Sequence, residues 1–338
     1  MIKTAVIVPN WNGFDTIAKC LDSLLKQTEK IDIILVENGS TDRSLSFIKD
    51  TYPNINLIIN RSNRGFAGGV NDGIRLAFNL KYEYIALFNN DAVASKDWIS
   101  SLTEHIENNP KVGIVTSKIL SINGEYIDST GDFYTNWGLP FPRGRNEKNS
   151  VIYDSESDIF SASGGASIYR TKMLHEIGIF DEDFFAYYED VDISFRAQLA
   201  GWKVNYEPKA MVLHDTGSTS SKIKGFTTYQ TMKNLPWLFW KNVPLKYLIK
   251  IGLRFYFAYF TFYLSAFSRG QGFIATKGLL KSVIFLPKKL FERRKIQSHK
   301  KVDSDYIWNI ITHDLPPNAF KLRALRYKWR RIINKVRS

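Results

Sequence analysis

The chain has 338 residues, 44% of them hydrophobic and 23% charged, which excludes a disordered or fibrous protein and allows one or two domains with a large core. Its single cysteine, Cys20, excludes an intrachain disulfide and fits a reducing compartment. The net charge of +13 is unevenly spread: residues 222–338 carry 25 Lys/Arg against 4 Asp/Glu, whereas the first 221 residues carry 21 against 29. A mildly acidic part is thus followed by a strongly basic one, which points to a polyanion or an anionic membrane surface as partner.

Thr4 to Pro9 reads as a buried strand, reached almost at once and without a basic-apolar leader, so this part of the chain is expected to be cytoplasmic. Asn10-Trp11-Asn12-Gly13 is the polar turn at its end. Apolar residues at 17, 18, 21, 24 and 25 predict a helix within Asp15–Gln27. A second strand, Ile31 to Val36, stops at Glu37-Asn38-Gly39-Ser40-Thr41-Asp42. A helix to about Asp50 and a strand at Asn56–Ile59 follow. The next stretch, Asn63-Arg64-Gly65-Phe66-Ala67-Gly68-Gly69-Val70-Asn71, combines glycines with the start of a helix, a place where a diphosphate can approach backbone N–H groups, or simply a glycine-rich turn. Glu83–Phe88 is the fourth strand, closed by Asn89-Asn90-Asp91. Beyond the carboxyl end of a buried parallel strand, Asp91 can hold a divalent metal beside two amides; the same three residues would equally cap a helix starting near Ser95. This β-α alternation is a nucleotide-binding α/β half, without GxGxxG after the first strand and without GxxxxGK[ST].

Asp97–Asn108 predicts an amphipathic helix and Val112–Leu120 a strand; residues 121–157 lack a clear period and read as strands and loops, which the resemblance given below sets near an acceptor. Phe160–Tyr169 is expected to be a strand of small residues, with Gly164 and Gly165 allowing close approach of a backbone or a sugar. Asp181-Glu182-Asp183 and Glu189-Asp190-Val191-Asp192 form an acidic run wrapped in Phe184, Phe185, Tyr187 and Tyr188. Helical spacing begins at Asp190, and positions 190 and 192 diverge by about 200°, so at most one of them faces a cleft. A carboxylate here can act as a general base with its pKa raised by the aromatic shell, or as an N-cap. Strands at Val204–Tyr206 and Ala210–Leu213 lead to His214.

VIVPNWNG (6–13), VENGSTD (36–42), NRGFAGGVNDG (63–73), FNNDA (88–92) and FFAYYEDVDISFRAQLAGW (184–202) resemble family-2 glycosyltransferases, in particular the rhamnosyltransferase-like branch of bacterial surface-polysaccharide synthesis, in order over roughly residues 1–240. The resemblance implies an α/β GT-A fold, a mostly parallel sheet flanked by helices. It further implies a nucleoside-diphosphate sugar donor (dTDP-rhamnose or a UDP-sugar), a divalent metal (manganese or magnesium) and inverting transfer to a lipid-linked saccharide. By that resemblance Pro9, Asn10, Asn12, Glu37 and Asn38 line the base and ribose pocket. Asn63, Phe66, Gly69 and Asn71 lie near the nucleotide and diphosphate, with Asn89 and Asn90 beside them. Asp91 and His214 hold the metal, Asp190 is the base with Glu189 beside it, and Gly164 and Gly165 face the acceptor. Asn89 stands where the family's Asp-x-Asp motif has its first acid. Asp192 is expected to stabilise the helix only. The different-class alternative is a catalytically inactive sugar-nucleotide-binding or scaffold protein of a polysaccharide assembly complex.

Residues 1–225 are therefore expected to form the catalytic domain and 226–338 a basic, aromatic, mostly helical region. The charge-free run Phe255–Ser268 is 14 residues, short of the ~20 that span a bilayer. Flanking Lys241, Lys246, Arg269, Lys277, Lys281, Lys288 and Lys289, with Arg293-Arg294-Lys295 and Arg323 to Arg337, predict an interfacial helix pair, peripheral on the inner face of the cell membrane. A nucleic-acid partner is excluded by the lack of any RRM, KH or zinc-finger pattern.

Overall fold

Seven residues, Thr4–Asn10, form β1, whose Ala5, Val6, Ile7 and Val8 are fully buried on both faces, as a central parallel strand requires. The structure, a computed structural model, describes residues 2–215, 223–317 and 319. After β1 come α1 (Ile17–Leu25), β2 (Asp32–Glu37), α2 (Ser44–Thr51), β3 (Asn56–Ile59), α3 (Gly65–Asn79) and β4 (Tyr84–Phe88). β1 pairs in parallel with β2 on one side and β4 on the other, and β3 extends the sheet beyond β2. The β1–β4 pairing stops at Ile7 opposite Leu87, while β1 stays paired with β2 to Asn10. The two strands therefore part at their carboxyl ends and leave a crevice where the connections diverge, the usual ligand position in an open α/β sheet. Pro9 sits where pairing with β4 has ended, so its missing N–H costs no ladder bond there.

The chain continues through β5 (Ala92–Ala94), α4 (Trp98–Asn108), β6 (Val112–Ser121), β7 (Ile127–Ser129), β8 (Asp132–Tyr134), β9 (Pro140–Pro142), β10 (Ser157–Asp158), β11 (Ala166–Arg170), α5 (Thr171–Ile177), α6 (Glu189–Leu199) and β12 (Lys203–His214). The main sheet runs β10-β12-β6-β11-β4-β1-β2-β3, with β11 inserted antiparallel between β4 and β6, and β8 and β9 form a separate hairpin. The small-residue strand expected at Phe160–Tyr169 begins only at Ala166; residues 160–165 form a loop that crosses the crevice. The two strands expected at 204–206 and 210–213 are one, β12, interrupted in register between Glu207 and Met211, where Pro208 breaks the apolar run. The helix expected near Ser95 starts at Trp98, because Ala92–Ala94 pairs instead with β12.

Four more helices follow among the described residues: α7 (Phe226–Asn242), α8 (Leu248–Ser268), α9 (Gly272–Ser298) and α10 (Ser304–Ile310). Their apolar residues share one core with the preceding part of the chain: Trp237, Leu238 and Phe239 pack with Phe184, Val191 and Phe195. Pro236 lies inside α7 and cannot donate to the carbonyl of Met232, which instead accepts from the Tyr259 hydroxyl of α8 at 2.6 Å. At the α7–α9 crossing Gly278 has no room for a side chain, since a Cβ would lie 2.6 Å from the Tyr229 carbonyl. Two lysines expected to flank an interfacial helix pair are corrected by this packing. Lys241 and Lys289 are buried against Asp181, and Arg293 donates to the Trp240 and Val243 carbonyls at the end of α7. Among the described residues no helix is long and apolar enough to cross a membrane. The basic run Arg323 to Arg337 lies outside the described residues.

Candidate active site

Buried polar side chains gather at the ends of β1, β2 and β4. Asn10 donates to Glu37 (2.6 Å) and accepts from Asn90 (2.7 Å), which ties three strand ends together across the crevice. Gly13 is obligatory beside them: a Cβ would fall 2.1 Å from the Asn90 amide nitrogen. Glu37 also accepts from the Ser40 N–H, and Asn12, at φ 51°, accepts from the Thr41 N–H at 2.7 Å. Asn38 donates to the Gly65 carbonyl and to Asn63, and Gly69 packs against its amide. A polar floor this buried, with acceptors fixed by neighbours, suits a base and ribose. Asn71 faces elsewhere. Its amide donates to the Phe180 carbonyl and Glu182 and accepts from the Phe180 N–H, so it holds the acidic loop against α3.

At the end of β4, Asp91 and His214 meet. β12 pairs His214 with Ala92, and the His214 Nε2 lies 3.0 Å from the Asp91 carboxylate and 3.2 Å from the Asn89 amide. The other ring nitrogen is held at 2.9 Å by Asp128, which is also paired with Arg145. Burial opposes charge on this ring, but hydrogen bonds to Asp128 and Asp91 outweigh it and raise the His214 pKa to about 9. The donor set is one carboxylate oxygen and one imidazole nitrogen, the ring fixed from behind by a second carboxylate. It fits a divalent cation in the proton's place. Asp128 escaped the sequence reading because the 121–157 stretch has no period that would place it opposite a histidine 86 residues away.

Glu189 and Asp190 open α6. The Asp190 carboxylate accepts from the Gly164 N–H at 3.0 Å and from its neighbour Val191 at 2.8 Å. Burial raises its pKa, and those two N–H bonds pull the other way. Gly164 is what lets the parts meet, since a Cβ there would touch the Phe66 ring (3.1 Å) and the Asp190 side chain (3.4 Å). At Gly165 it would press on the Asn89 amide at 3.2 Å. The loop crossing the crevice thus brings Phe66, Asn89 and Asp190 to one place. Glu189 turns inward. Burial and the adjacent Asp190 push its pKa far up, and its Oε2 has no hydrogen-bond partner. Asp132, which sequence reasoning missed, lies beside the pair: burial and then the Asp190 charge raise it to about 7.

Asp192 does more than stabilise a helix start. It is fully buried and binds Arg196 (2.9 Å), Lys241 (3.0 Å) and Asn242 (2.8 Å). Asp181 and Asp183 meet Lys289 at 2.7 Å each, with Glu292 alongside. These three carboxylates already surround lysine ammoniums, so a divalent cation has no place among them.

The family model for glycosyl transferase family 2 matches residues 5–178. The chain is 26% identical over 240 residues to the N-acetylglucosaminyl-diphospho-decaprenol L-rhamnosyltransferase of Mycobacterium tuberculosis, covering 64% of this chain and 77% of that protein. It is 27% identical over 206 residues to a poly-beta-1,6-N-acetyl-D-glucosamine synthase of Staphylococcus aureus, covering 60% of this chain and 47% of the synthase. Among solved structures, S. aureus TarS in complex with UDP superposes with a TM-score of 0.54 at 19% identity, covering 88% of this chain and 90% of that one. The mannosyltransferase PcManGT of Pyrobaculum calidifontis, in complex with GDP-Man and Mn2+, superposes with a TM-score of 0.53 at 16% identity, covering 91% and 85%. Both likenesses are of the GT-A fold.

Proposed function

Because this chain belongs to glycosyl transferase family 2 and so is a glycosyltransferase using a nucleotide-sugar donor, we propose a finer reading. It transfers a sugar, rhamnose first among candidates, from a nucleoside diphosphate to a hydroxyl of a lipid-linked saccharide, with inversion. The observation that carries this is the position of Asp190, whose pKa is raised and which the Gly164 loop holds beside Phe66, next to the Asn89 amide that joins His214 and Asp91. One base in that position suffices for direct displacement. The acceptor oxygen bonds to the anomeric carbon as the bond from that carbon to the diphosphate oxygen breaks, and the acceptor's proton passes to an Asp190 oxygen. Asp91 and His214 would hold the metal, which when bound supplies positive charge for the departing diphosphate. Asn10, Glu37, Asn38 and Asn90 orient the base and ribose, and Asn63, Phe66 and Gly69 border the diphosphate. Asn71 acts through the loop that it holds.

The reading of the acceptor as lipid-linked has separate support. α8 and α9 leave apolar side chains outside, among them Ile249, Leu253, Phe273, Ile284 and Phe291, next to exposed Lys250, Lys277, Lys281 and Lys288. An apolar face rimmed by cations suits an anionic leaflet. The donor is tested by incubating the protein and manganese with UDP-, GDP- and dTDP-sugars and a polyprenyl-diphosphate saccharide, with product masses read by mass spectrometry. Mass increase by a deoxyhexose from dTDP-rhamnose is the expected result. Binding of nucleotide-sugars without any product, across the panel, would favour the scaffold alternative.

A further inference from the structure

The residues just before Asp190 adopt a backbone that side chains of their size avoid. Phe185 has φ 64° and ψ −62°, Tyr187 φ 69°, and Tyr188 φ 73° and ψ −1°. The Ala186 N–H donates to the Phe184 carbonyl at 2.7 Å, so Phe185 is the centre of a γ-turn of the rare, strained hand. A segment in such a conformation persists only when its surroundings over-determine it.

α7 supplies those surroundings. The Asn234 amide donates to the carbonyls of Phe184 (2.9 Å), Ala186 (2.9 Å) and Tyr187 (2.8 Å). The Lys233 ammonium donates to the carbonyls of Asp183 (2.9 Å) and Phe184 (3.2 Å). Both side chains are buried, and the Asn234 Oδ1 has no hydrogen-bond partner, so this amide serves the turn with its donors alone. From the opposite side the Ala67 N–H, in the first turn of α3, donates to the Phe185 carbonyl at 3.2 Å. Gly65 is required there, because a Cβ would lie 2.4 Å from that oxygen. The strained segment then runs straight into α6: the Tyr188 carbonyl accepts from the Asp192 N–H at 2.9 Å, and Asp190 lies between them in the chain.

We propose that α7 is a positioning element of the transfer reaction, in which Asn234, assisted by Lys233, locks the strained turn at 184–188 so that Asp190 is presented to the acceptor hydroxyl. This rests on Asp190 being the base. Neither α7 residue touches the reacting atoms. The C-terminal helices are accordingly needed for turnover itself, whatever surface they also offer, and the grip of Ala67 on Phe185 joins the base to the helix that borders the donor.

The test uses the full chain, with Asn234→Ala, Lys233→Met, and Asn234→Ala combined with either Phe185→Gly or Phe185→Ala. Glycine accepts positive φ without strain, whereas alanine removes the ring and keeps the strain, so the two combinations separate the backbone from packing. Asn234→Ala is expected to lower kcat on the order of 10²-fold, the scale of a misplaced catalytic group, with UDP–manganese affinity and donor KM within about twofold of wild type. In hydrogen exchange the 184–190 amides should lose protection while those of β1 and β4 keep theirs. The Phe185→Gly combination should recover roughly tenfold in kcat over the Phe185→Ala combination, if relief of strain replaces the clamp. Wild-type turnover with 184–190 still protected overturns the proposal. So does an equal loss of kcat and UDP binding, which would make Asn234 general cement, or a glycine combination no better than the alanine one. If Asn234→Ala does not fold, Lys233→Met carries the same expectations. A separate Asp190→Asn protein with undiminished transfer would remove the base reading, whereas the exchange result reports on the clamp alone.

Discussion

Two backbone N–H groups, from Gly164 and Val191, point at the Asp190 carboxylate, while Glu189 beside it is buried with an oxygen that has no partner. Both carboxyls are shifted upward by burial, but Asp190 is the one that the crossing loop holds, through the Gly164 N–H. Asp190→Asn should therefore lower transfer by ~10²–10⁴-fold while UDP still binds, measured by turnover and by titration. Glu189→Gln, at a side chain that turns inward and is not held by the crossing loop, should cost far less. A base must be ionised, so the acid limb of kcat should lie above the ordinary carboxylate range and disappear in Asp190→Asn. The reverse ranking of the two variants would move the base by one residue. The metal reading is tested at Asp91 and His214. Chelation should abolish turnover and manganese restore it, and Asn89→Asp, by adding a carboxylate beside the His214 Nε2, should lower the manganese concentration needed. Full activity of Asp91→Ala in chelator would refute the assignment.

The 181–183 loop meets α7 and α9 through buried charges rather than through apolar residues alone. Burial works against the charge on Asp181, yet Lys241 and Lys289 hold its carboxyl well below the usual range, and Asp181 and Asp183 raise Lys289 in turn. The signs give a window. Asp181 stabilises the fold fully above the ordinary aspartate pKa, and that contribution is lost as pH falls through the depressed folded value. The Lys289 contribution is complete below its ordinary pKa and lost only at strongly alkaline pH. Melting temperature should thus fall on acidification, and Lys289→Met, which strands buried carboxylates, should cost about 3–5 kcal/mol at neutral pH and reduce that acid dependence. An unchanged melting curve would show that the helices dock without this network. None of it was legible in the sequence, because Lys289 lies 108 residues from Asp181 and reads like any other lysine of a basic tail. What was legible follows from local rules. β1, β2 and β4 are continuous apolar runs that stop at polar residues, as strands buried on both faces do, and α3 and α6 carry their own spacing. β5 is three residues long, and the break in β12 resembles a strand end, so both depended on pairing that only the folded sheet supplies.

Seen as one body, the molecule carries its crevice on the acidic half and its unpaired apolar and basic surface on α8 and α9. Ile249 and Leu253 follow each other at i,i+4 on α8 and are 79% and 74% exposed; on α9 Phe273 and Phe291 are 84% and 72% exposed. Side chains of that kind are not left in water as a contiguous stripe on most soluble monomers, so the stripe calls for a cover. The cations around it select the cover: Lys250, Lys277 and Lys281 repel a second copy of the same face and favour an anionic leaflet, each gaining roughly 1 kcal/mol near such a surface. Apolar insertion and charge attraction respond differently to salt, because screening acts only on the second. The protein should therefore float with phosphatidylglycerol-containing liposomes, float less at high salt without being released completely, and float poorly with neutral vesicles. Ile249→Asp combined with Phe273→Asp should abolish flotation and slow transfer to a lipid-linked acceptor, while transfer to a short soluble analogue of that acceptor stays near wild type, since neither residue adjoins the crevice. Equal partition onto neutral and acidic vesicles would show that the basic rim serves another partner, and loss of transfer to both acceptors would show that the stripe belongs to the fold rather than to the membrane.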